Sequence, residues 1–358
     1  MKLIKILMLL VTSLSLFDAQ ATLTKVASLP NSTPPGNIAI SPEDRVFFSV
    51  HGFYGHAVKV MELKENGQTV PYPNEAWAHK PNELGQGFND VLGLNVDRRG
   101  ILWLLDGATP TSNARLVAWN TRTESLHKII YLGFPVTNNT SFVNDLAIDY
   151  SNNAIYITDV GSAKTSALIV VDLITGQARR VLEGSNYTTP EDLNMVIDGR
   201  VITLGDQPAR IGANPITISP DNRWVYFGAM SGLSLYRIET KYLADNTLTN
   251  SKLESHVVRY GSKPISDGIT VDNAGNVYVT SITDNSIGVV KPDGKYSTLY
   301  QGEHLSWPDG FAVGPNNQIY FTVNELHKSP VLNKGKDESS GKFAIYSFDA
   351  IAEATVGR

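Results

Sequence analysis

The stretch SDGITVDNAGNVYVT, residues 266–280, places an acid and a glycine before an apolar strand, which is followed by a polar turn and a second apolar strand. Residues 308–322, PDGFAVGPNNQIYFT, repeat this pattern. Strands rich in branched and aromatic residues around turns of Asp, Asn, Pro or Gly are typical of β-hairpins. Six such phrases align along the chain: GNIAISPEDRVFFS (36–49), LGLNVDRRGILWLL (92–105), NDLAIDYSNNAIYIT (144–158), NPITISPDNRWVYFG (214–228), DGITVDNAGNVYVT (267–280) and DGFAVGPNNQIYFT (309–322).

An aromatic residue recurs at a similar place in the second strand of every phrase. Repeated antiparallel sheets at such intervals predict an all-β fold, a six-bladed β-propeller, with one blade for each phrase. We predict a single domain over residues 22–358, and we assign the aromatic column to its packed core. The column comprises Phe48, Trp103, Tyr156, Tyr226, Tyr278 and Tyr320.

The ends of the chain suggest how the propeller closes. Residues 22–29 and 342–350 both read as strands. We predict that the early strand completes the last blade beside the late one, because this pairing removes two free sheet edges.

Residues 1–21 have the features of a secretory signal peptide. Lys2 and Lys5 precede an apolar run from Ile6 to Phe17, and Ala19 to Ala21 form a small-x-small cleavage site. We therefore predict a secreted or periplasmic protein with no membrane span after cleavage, because the apolar run is short for a transmembrane helix. An uncleaved anchor or a buried strand is the alternative.

Charge and cysteine content exclude several classes of function. The formal net charge of -5 provides no basic surface for a phosphate backbone, so nucleic acid is not an expected partner. The chain has no cysteine, so thiol nucleophiles are absent and the exported fold has no disulfide. No phosphate-binding or dinucleotide fingerprint occurs, and no organic cofactor is expected.

One residue directly precedes the first strand of each phrase, and in a propeller these six would surround the mouth of the central channel. Four of them offer amide or carboxylate oxygens, the ligands that Ca²⁺ accepts, with Mg²⁺ or Mn²⁺ as alternatives. We predict a metal site formed by Asn144, Asn214, Asp267 and Asp309. The alternative is that these side chains only cap turns by bonding to nearby backbone N–H groups. The complete ring is Gly36, Leu92, Asn144, Asn214, Asp267 and Asp309.

A second set of polar residues follows the second strands, which return to the same face. We predict that this collar, with Trp307 as a wall for a planar group, binds a small-molecule ligand. Asp145 and Asp159 are candidate catalytic bases. The predicted ligand-binding residues are His51, Asp106, Asp159, Ser281, Trp307 and Asn324.

The six phrases resemble, in order and over nearly all of the mature chain, those of the yellow and major royal jelly protein family, including prokaryotic relatives. The resemblance implies a secreted six-bladed propeller. Members of that family are described as dopachrome-converting enzymes, binders of biogenic amines, or nutritive and structural proteins. The residues that carry the resemblance are PGNIAISPEDRVFFSVH, GLNVDRRGILWLLDGA, FVNDLAIDYSNNAIYITD, PITISPDNRWVYFG, SDGITVDNAGNVYVTSI and WPDGFAVGPNNQIYFTVNELH.

A more distant resemblance is to the gluconolactonase and senescence-marker propellers, which hold a divalent metal by a Glu, Asn residues and an Asp. Asn144, Asn214 and Asp267 match the last three, whereas Gly36 stands at the Glu position. This departure argues against lactone hydrolysis by the same mechanism.

The sequence therefore supports three functions. The first is a propeller that binds a small polar or aromatic ligand at the channel mouth near a divalent cation. The second is a metal-dependent enzyme, either a lactonase-like hydrolase or a dopachrome-type tautomerase. The third is a protein-interaction scaffold.

Overall fold

A computed structural model describes residues 22–357 of the chain. These residues form six four-stranded antiparallel sheets and two short hairpins. The sheets are the blades of a six-bladed β-propeller, as predicted. The proposed signal peptide at residues 1–21 lies outside the described residues.

Each of blades one to five consists of four consecutive strands, ordered from the channel outward. Blade one is Pro35–Ile40, Val46–Val50, Val60–Leu63 and Thr69–Pro71. Blade two is Val91–Val96, Ile101–Asp106, Ala114–Asn120 and Ser125–Leu132. Blade three is Val143–Asp149, Ala154–Asp159, Ala167–Asp172 and Ala178–Val181. Blade four is Ala213–Ile218, Trp224–Ala229, Ser234–Glu239 and Val258–Ser262. Blade five is Ile269–Val271, Val277–Ser281, Ser286–Val290 and Tyr296–Gln301.

Blade six combines both ends of the described chain. Its inner three strands are Pro308–Val313, Gln318–Val323 and Ala344–Asp349. The outermost strand is Thr24–Ser28, which pairs antiparallel with Ala344–Asp349. The predicted closure is confirmed, and it gives each of these two strands a hydrogen-bonded neighbour.

The remaining elements are short. The two hairpins join Val196–Ile197 to Arg200–Val201 and Thr203–Leu204 to Gln207–Pro208. Among the described residues, no helix is long and apolar enough to cross a membrane. The helical segments are the α-helices Glu75–Ala78, Thr240–Ala244 and Asn250–Glu254 and the 3₁₀ turns Gly52–Tyr54, Glu303–Leu305 and Leu326–Lys328.

The core lies between neighbouring blades, so a central blade must be apolar on both faces. In blade three, Ile169 and Val171 pack in a cluster with residues of blade two. Leu168 and Val170, on the opposite face, pack with residues of blade four. Alternating side chains therefore fill two interfaces, and the strand reads as a continuous apolar run.

The aromatic column is confirmed in five blades and corrected in the first. Tyr156 pairs with Ala147, and by the same register Phe47 pairs with Ala39. Phe47 is therefore the column residue of blade one. Phe48 lies on the opposite face of the strand, where it is buried in the core as predicted. Two adjacent phenylalanines made the spacing ambiguous, and a shift of one residue reverses the face of a strand. Tyr320 is half-buried, whereas the other column residues are buried.

Acids in the hairpin turns anchor this column. The Tyr156 hydroxyl donates to Asp149 Oδ2 at 2.7 Å, and the Tyr278 hydroxyl donates to Asp272 Oδ2 at 2.9 Å. Asp272 Oδ1 also accepts from the backbone N–H of Asn276. These turn acids are occupied by structural hydrogen bonds at the end of the strand that is opposite the channel mouth.

Candidate functional site

The ring residues lie at the start of the inner strands. In every blade except blade five, the register of the inner strand shifts at the ring, for example between Val143 and Leu146 in blade three. Asn144 and Asp145 occupy that irregularity, so their side chains are released from the pleat and directed into the channel. In blade five, Asp267 and Gly268 instead precede the inner strand Ile269–Val271. A bulge that directs a side chain into a site is a recurrent use of this irregularity.

Hydroxyl groups on the second strands hold the ring in place. Thr158 Oγ1 accepts from the Asp145 N–H at 3.1 Å and donates to the Asn214 carbonyl of the next blade at 2.8 Å. Ser49 Oγ donates in the same way to the Leu92 carbonyl, also at 2.8 Å. Sequence reasoning missed these groups, although Ser or Thr two residues after the column aromatic is a visible signal. Four blades have it, at Ser49, Thr158, Thr280 and Thr322.

All six ring residues border one cavity of about 370 Å³ at the channel mouth. Asn37 and Asp145, each one residue beyond the ring, complete its floor with them. The walls and the covering segments are largely apolar. Their lining residues include Phe53, Phe142, Met195, Leu204, Ile211, Met230, Leu326, Val331 and Leu332.

Three carboxyl groups, those of Asp145, Asp267 and Asp309, border the floor, and none has a cationic partner among residues 22–357. Burial raises the pKa of Asp145 to about 8, and the charge of Asp267 adds to this effect. Burial also raises the pKa of Asp267 to about 6, against hydrogen bonds from Trp307 and Asn214 that lower it. The pKa of Asp309 is raised well above its ordinary value by burial and by both other acids. In the described part of the chain, no lysine or arginine forms an ion pair with any of the three.

Neutral groups orient these carboxylates. Trp307 Nε1 donates to Asp267 Oδ2 at 2.7 Å. Asn324 Nδ2 donates to Asp309 Oδ2 at 2.7 Å, and Asn37 Nδ2 donates to Asp145 Oδ1 at 2.6 Å. Each acid therefore has one carboxylate oxygen fixed by an uncharged donor, and its orientation is set before any ligand arrives.

His51 lies beside the floor as a neutral ring. Burial lowers the pKa of its imidazole to about 3. Its Nδ1 accepts from the Phe53 N–H at 3.3 Å, so the proton of the neutral ring is on Nε2. Ser49 helps to explain the glycine at position 36, since a Cβ there would lie 2.7 Å from Ser49 Oγ.

The predicted collar divides into cavity and non-cavity residues. His51 and Trp307 border the cavity, whereas Ser281 and Asn324 lie behind it. Ser281 donates to Asp284 at 2.7 Å, and Asn324 supports Asp309. Asn324 therefore acts through a ring acid.

Asp106 and Asp159 are held by buried ion pairs and do not line the cavity, so their role in ligand binding stays a prediction. Asp106 bonds Arg115 Nε at 2.8 Å, and Asp159 bonds Arg180 Nη1 at 2.5 Å. Asp159 Oδ1 also accepts from the Phe142 N–H at 2.7 Å. Asp106 and Asp159 end the second strands of blades two and three, and each meets an arginine from a strand farther out in the same blade. Asp159 thus positions the cavity wall and is not a free base.

The amide and carboxylate oxygens of the floor are the ligand types that hard cations such as Ca²⁺ prefer. Asn214 Oδ1 is buried and has no hydrogen-bond partner among residues 22–357, which leaves an amide oxygen available in the ring. Within residues 22–357, however, no three His, Cys, Asp or Glu side chains are close enough together to form a metal cluster. Amide oxygens and water would therefore have to supply much of the coordination shell.

Comparisons with known proteins agree with this architecture. A profile of the family described as Major royal jelly protein matches residues 90–348. The chain belongs to the major royal jelly protein family. A sequence search of curated proteins finds no match.

Solved structures resemble this family member in fold. A gluconolactonase from Xanthomonas campestris is 12% identical with a TM-score of 0.59, covering 92% of this chain and 90% of that one. A calcium-binding regucalcin from Agrobacterium tumefaciens is 13% identical with a TM-score of 0.58, covering 94% and 98%. Virginiamycin B lyase from Staphylococcus aureus is 15% identical with a TM-score of 0.53, covering 92% and 100%. At these identities the likeness concerns the fold alone.

Proposed function

We propose that this propeller binds a small polar or aromatic molecule at the channel mouth, next to a divalent cation held by the ring. The observation that carries the proposal is the cavity itself, in which apolar walls stand above two buried carboxyl groups and one half-buried one, none with a cationic partner within residues 22–357. Apolar walls with a few convergent polar groups are the usual form of a small-molecule site. Trp307 and Phe142 would contact a planar body, while the floor would hold a polar group or the cation.

The cation would be Ca²⁺, with Mg²⁺ or Mn²⁺ as alternatives. Asp267, Asp309, Asn144 and Asn214 would hold it, with Asp145 beside them. When bound, it would supply positive charge that offsets the repulsion among the acids and polarises a ligand oxygen. The unpartnered oxygen of Asn214 supports this assignment.

A metal-dependent enzyme is the second candidate, and the protonation of Asp145 favours it. A carboxyl group whose pKa is raised to about 8 can take up and return a proton near neutral pH. Asp145 would then be the acid or base of a lactonase-like hydrolase or a tautomerase. Asp159 is less suited to this role because Arg180 holds its carboxylate.

Titration calorimetry with Ca²⁺, after removal of bound metal with EDTA, tests the cation. We expect one site that is lost in Asp267→Asn. The matched control is Asp293→Asn, which changes an exposed turn acid of the same blade. Equal binding by both variants, or no heat at any pH from 6 to 9, would contradict the cation assignment.

The ligand requires a separate screen, with amines, catechols and sugars titrated into protein that contains Ca²⁺. A response that is lost in Trp307→Ala would support the cavity as the site. A flat response throughout would count against small-molecule binding.

Secretion remains part of the proposal. The sequence of residues 1–21 supports export, and N-terminal sequencing of protein recovered outside the cytoplasm would test it. A mature chain that begins at Thr22 is expected, and a chain that retains Met1 would contradict cleavage.

A further inference from the structure

Two segments from different blades meet above the cavity. Residues 185–212 connect blade three to blade four and contain the two short hairpins. Residues 324–343 connect the second and third strands of blade six. We call these the first and second roof segments. Each contributes three cavity-lining residues, namely Met195, Leu204 and Ile211 from the first, and Leu326, Val331 and Leu332 from the second.

A polar latch joins the two roof segments. Arg200 Nη1 donates to Asn333 Oδ1 at 2.7 Å, and Arg200 Nη2 donates to the His327 carbonyl at 3.0 Å. Asp198 Oδ2 lies 3.0 Å from His327 Nε2, and Arg200 also lies 3.7 Å from Glu338. The latch therefore joins the tip of one hairpin to the opposite segment at several points.

The other end of the channel is narrower. Asn37 and Asp145 border both the large cavity and a chamber of about 40 Å³ beneath it. Thr355 and Gly357 of the C-terminal tail line the far side of that chamber. The Tyr150 hydroxyl donates to the Gly357 carbonyl, which ties the tail to blade three. The roof side is therefore the wider route to the floor.

Three apolar residues mark the opening that the roof leaves. Phe142, Leu204 and Val331 are 38, 39 and 42% exposed, and all three border the cavity. Leu204 and Val331 belong to opposite roof segments, so the distance between the segments sets the width of the opening. Partly exposed hydrogen bonds such as those of Arg200 contribute little individually and can break at modest cost.

We infer that the Arg200 latch makes the roof a size filter, which admits small molecules and excludes bulky ones until the two segments separate. This inference is independent of the proposed cation and of the identity of the ligand. It concerns access to the floor, whatever binds there.

The absence of cysteine allows a direct test. Leu92→Cys places one thiol in the ring, at the cavity floor. Two neutral reagents with the same chemistry, N-methylmaleimide and N-(1-pyrenyl)maleimide, probe access by size. Rates are normalised to Leu84→Cys, since Leu84 is 82% exposed. The measured quantity is the rate of the bulky reagent divided by the rate of the small one. We expect this ratio to be at least tenfold lower at Leu92→Cys than at Leu84→Cys.

Adding Arg200→Ala to Leu92→Cys should raise the reaction rate of the bulky maleimide at least fivefold. The rate of the small maleimide should change by less than twofold. The matched control is Arg210→Ala, because Arg210 bonds Asp192 and Asn194 within the first roof segment only. A bulky-to-small ratio equal to that of the exposed thiol would overturn the inference. The inference would also be overturned if Arg200→Ala left this ratio unchanged, or if it accelerated both reagents equally. If Leu92→Cys fails to fold, Met230→Cys provides a second cavity thiol with the same expectations.

Discussion

Asn37 of blade one donates a hydrogen bond of 2.6 Å to Asp145 of blade three, across the channel. Asn37 Oδ1 accepts from the Ile38 N–H at 2.8 Å, which fixes the orientation of the amide. Glycines make room for this contact, since a Cβ on Gly310 would lie 2.0 Å from Asn37 Oδ1. The blade whose ring position is a glycine therefore contributes to the floor through its next residue.

Gly310→Ala should break this bridge and destabilise the fold by about 1–3 kcal/mol, the usual cost of overpacking a filled site. Urea unfolding of the variant measures the loss. In Asn37→Ala the amide is absent, so adding Gly310→Ala to it should cost less, and the remaining cost reflects the Cα of residue 37, which lies 2.7 Å from the new Cβ. Equal costs in the two backgrounds would show that Gly310 does not act through Asn37.

The floor acids should make metal-free protein less stable as pH rises. In the unfolded chain these carboxyls titrate near pH 4, whereas the folded pKa values are about 6 for Asp267 and about 8 for Asp145. The stabilising contribution of these acids to the free energy of unfolding is thus complete below about pH 4. It is lost as pH rises through their pKa values in the folded protein. Each acid contributes a slope of about 1.4 kcal/mol per pH unit within its own range.

Thermal unfolding in EDTA between pH 5 and pH 8 tests this dependence. Asp145→Asn should flatten the upper part of the curve, and Ca²⁺ added at pH 8 should restore stability to the parent protein. A Tm that does not fall from pH 5 to pH 8 would mean that the acids are solvated or paired. An unchanged curve in Asp145→Asn would assign the slope to other groups.

The six-bladed fold and the ring could be predicted because both are repeated, so a weak signal in one blade is supported by five others. The collar could not be predicted in this way. Asp159 has the position of a ligand-binding residue, but its function depends on Arg180, a residue of another strand. Asn37 and Asp145 were equally hard to find as a pair, because their contact crosses the channel and depends on Gly310.

Arg180→Leu should be strongly destabilising, because it leaves the buried carboxylate of Asp159 unpaired. Removal of one partner from a buried pair typically costs about 3–5 kcal/mol. The matched control is Arg223→Leu. Arg223 pairs with Glu239, and the Arg223 side chain is 62% exposed. Glu239 keeps Lys241 as a second partner, so this variant should lose much less stability than Arg180→Leu. Similar losses of unfolding free energy in the two variants would contradict a structural role for the Asp159 pair.

Trp307 should report on the charge of the floor, since its indole N–H donates directly to Asp267 Oδ2. A cation that binds Asp267 would draw charge away from this hydrogen bond, so the emission of Trp307 should change on addition of Ca²⁺. Trp307→Phe should abolish most of the change and also weaken cation binding, because the donor that stabilises ionised Asp267 is lost. The other four tryptophans serve as an internal reference in this titration. A fluorescence change that persists in Trp307→Phe would place the cation elsewhere.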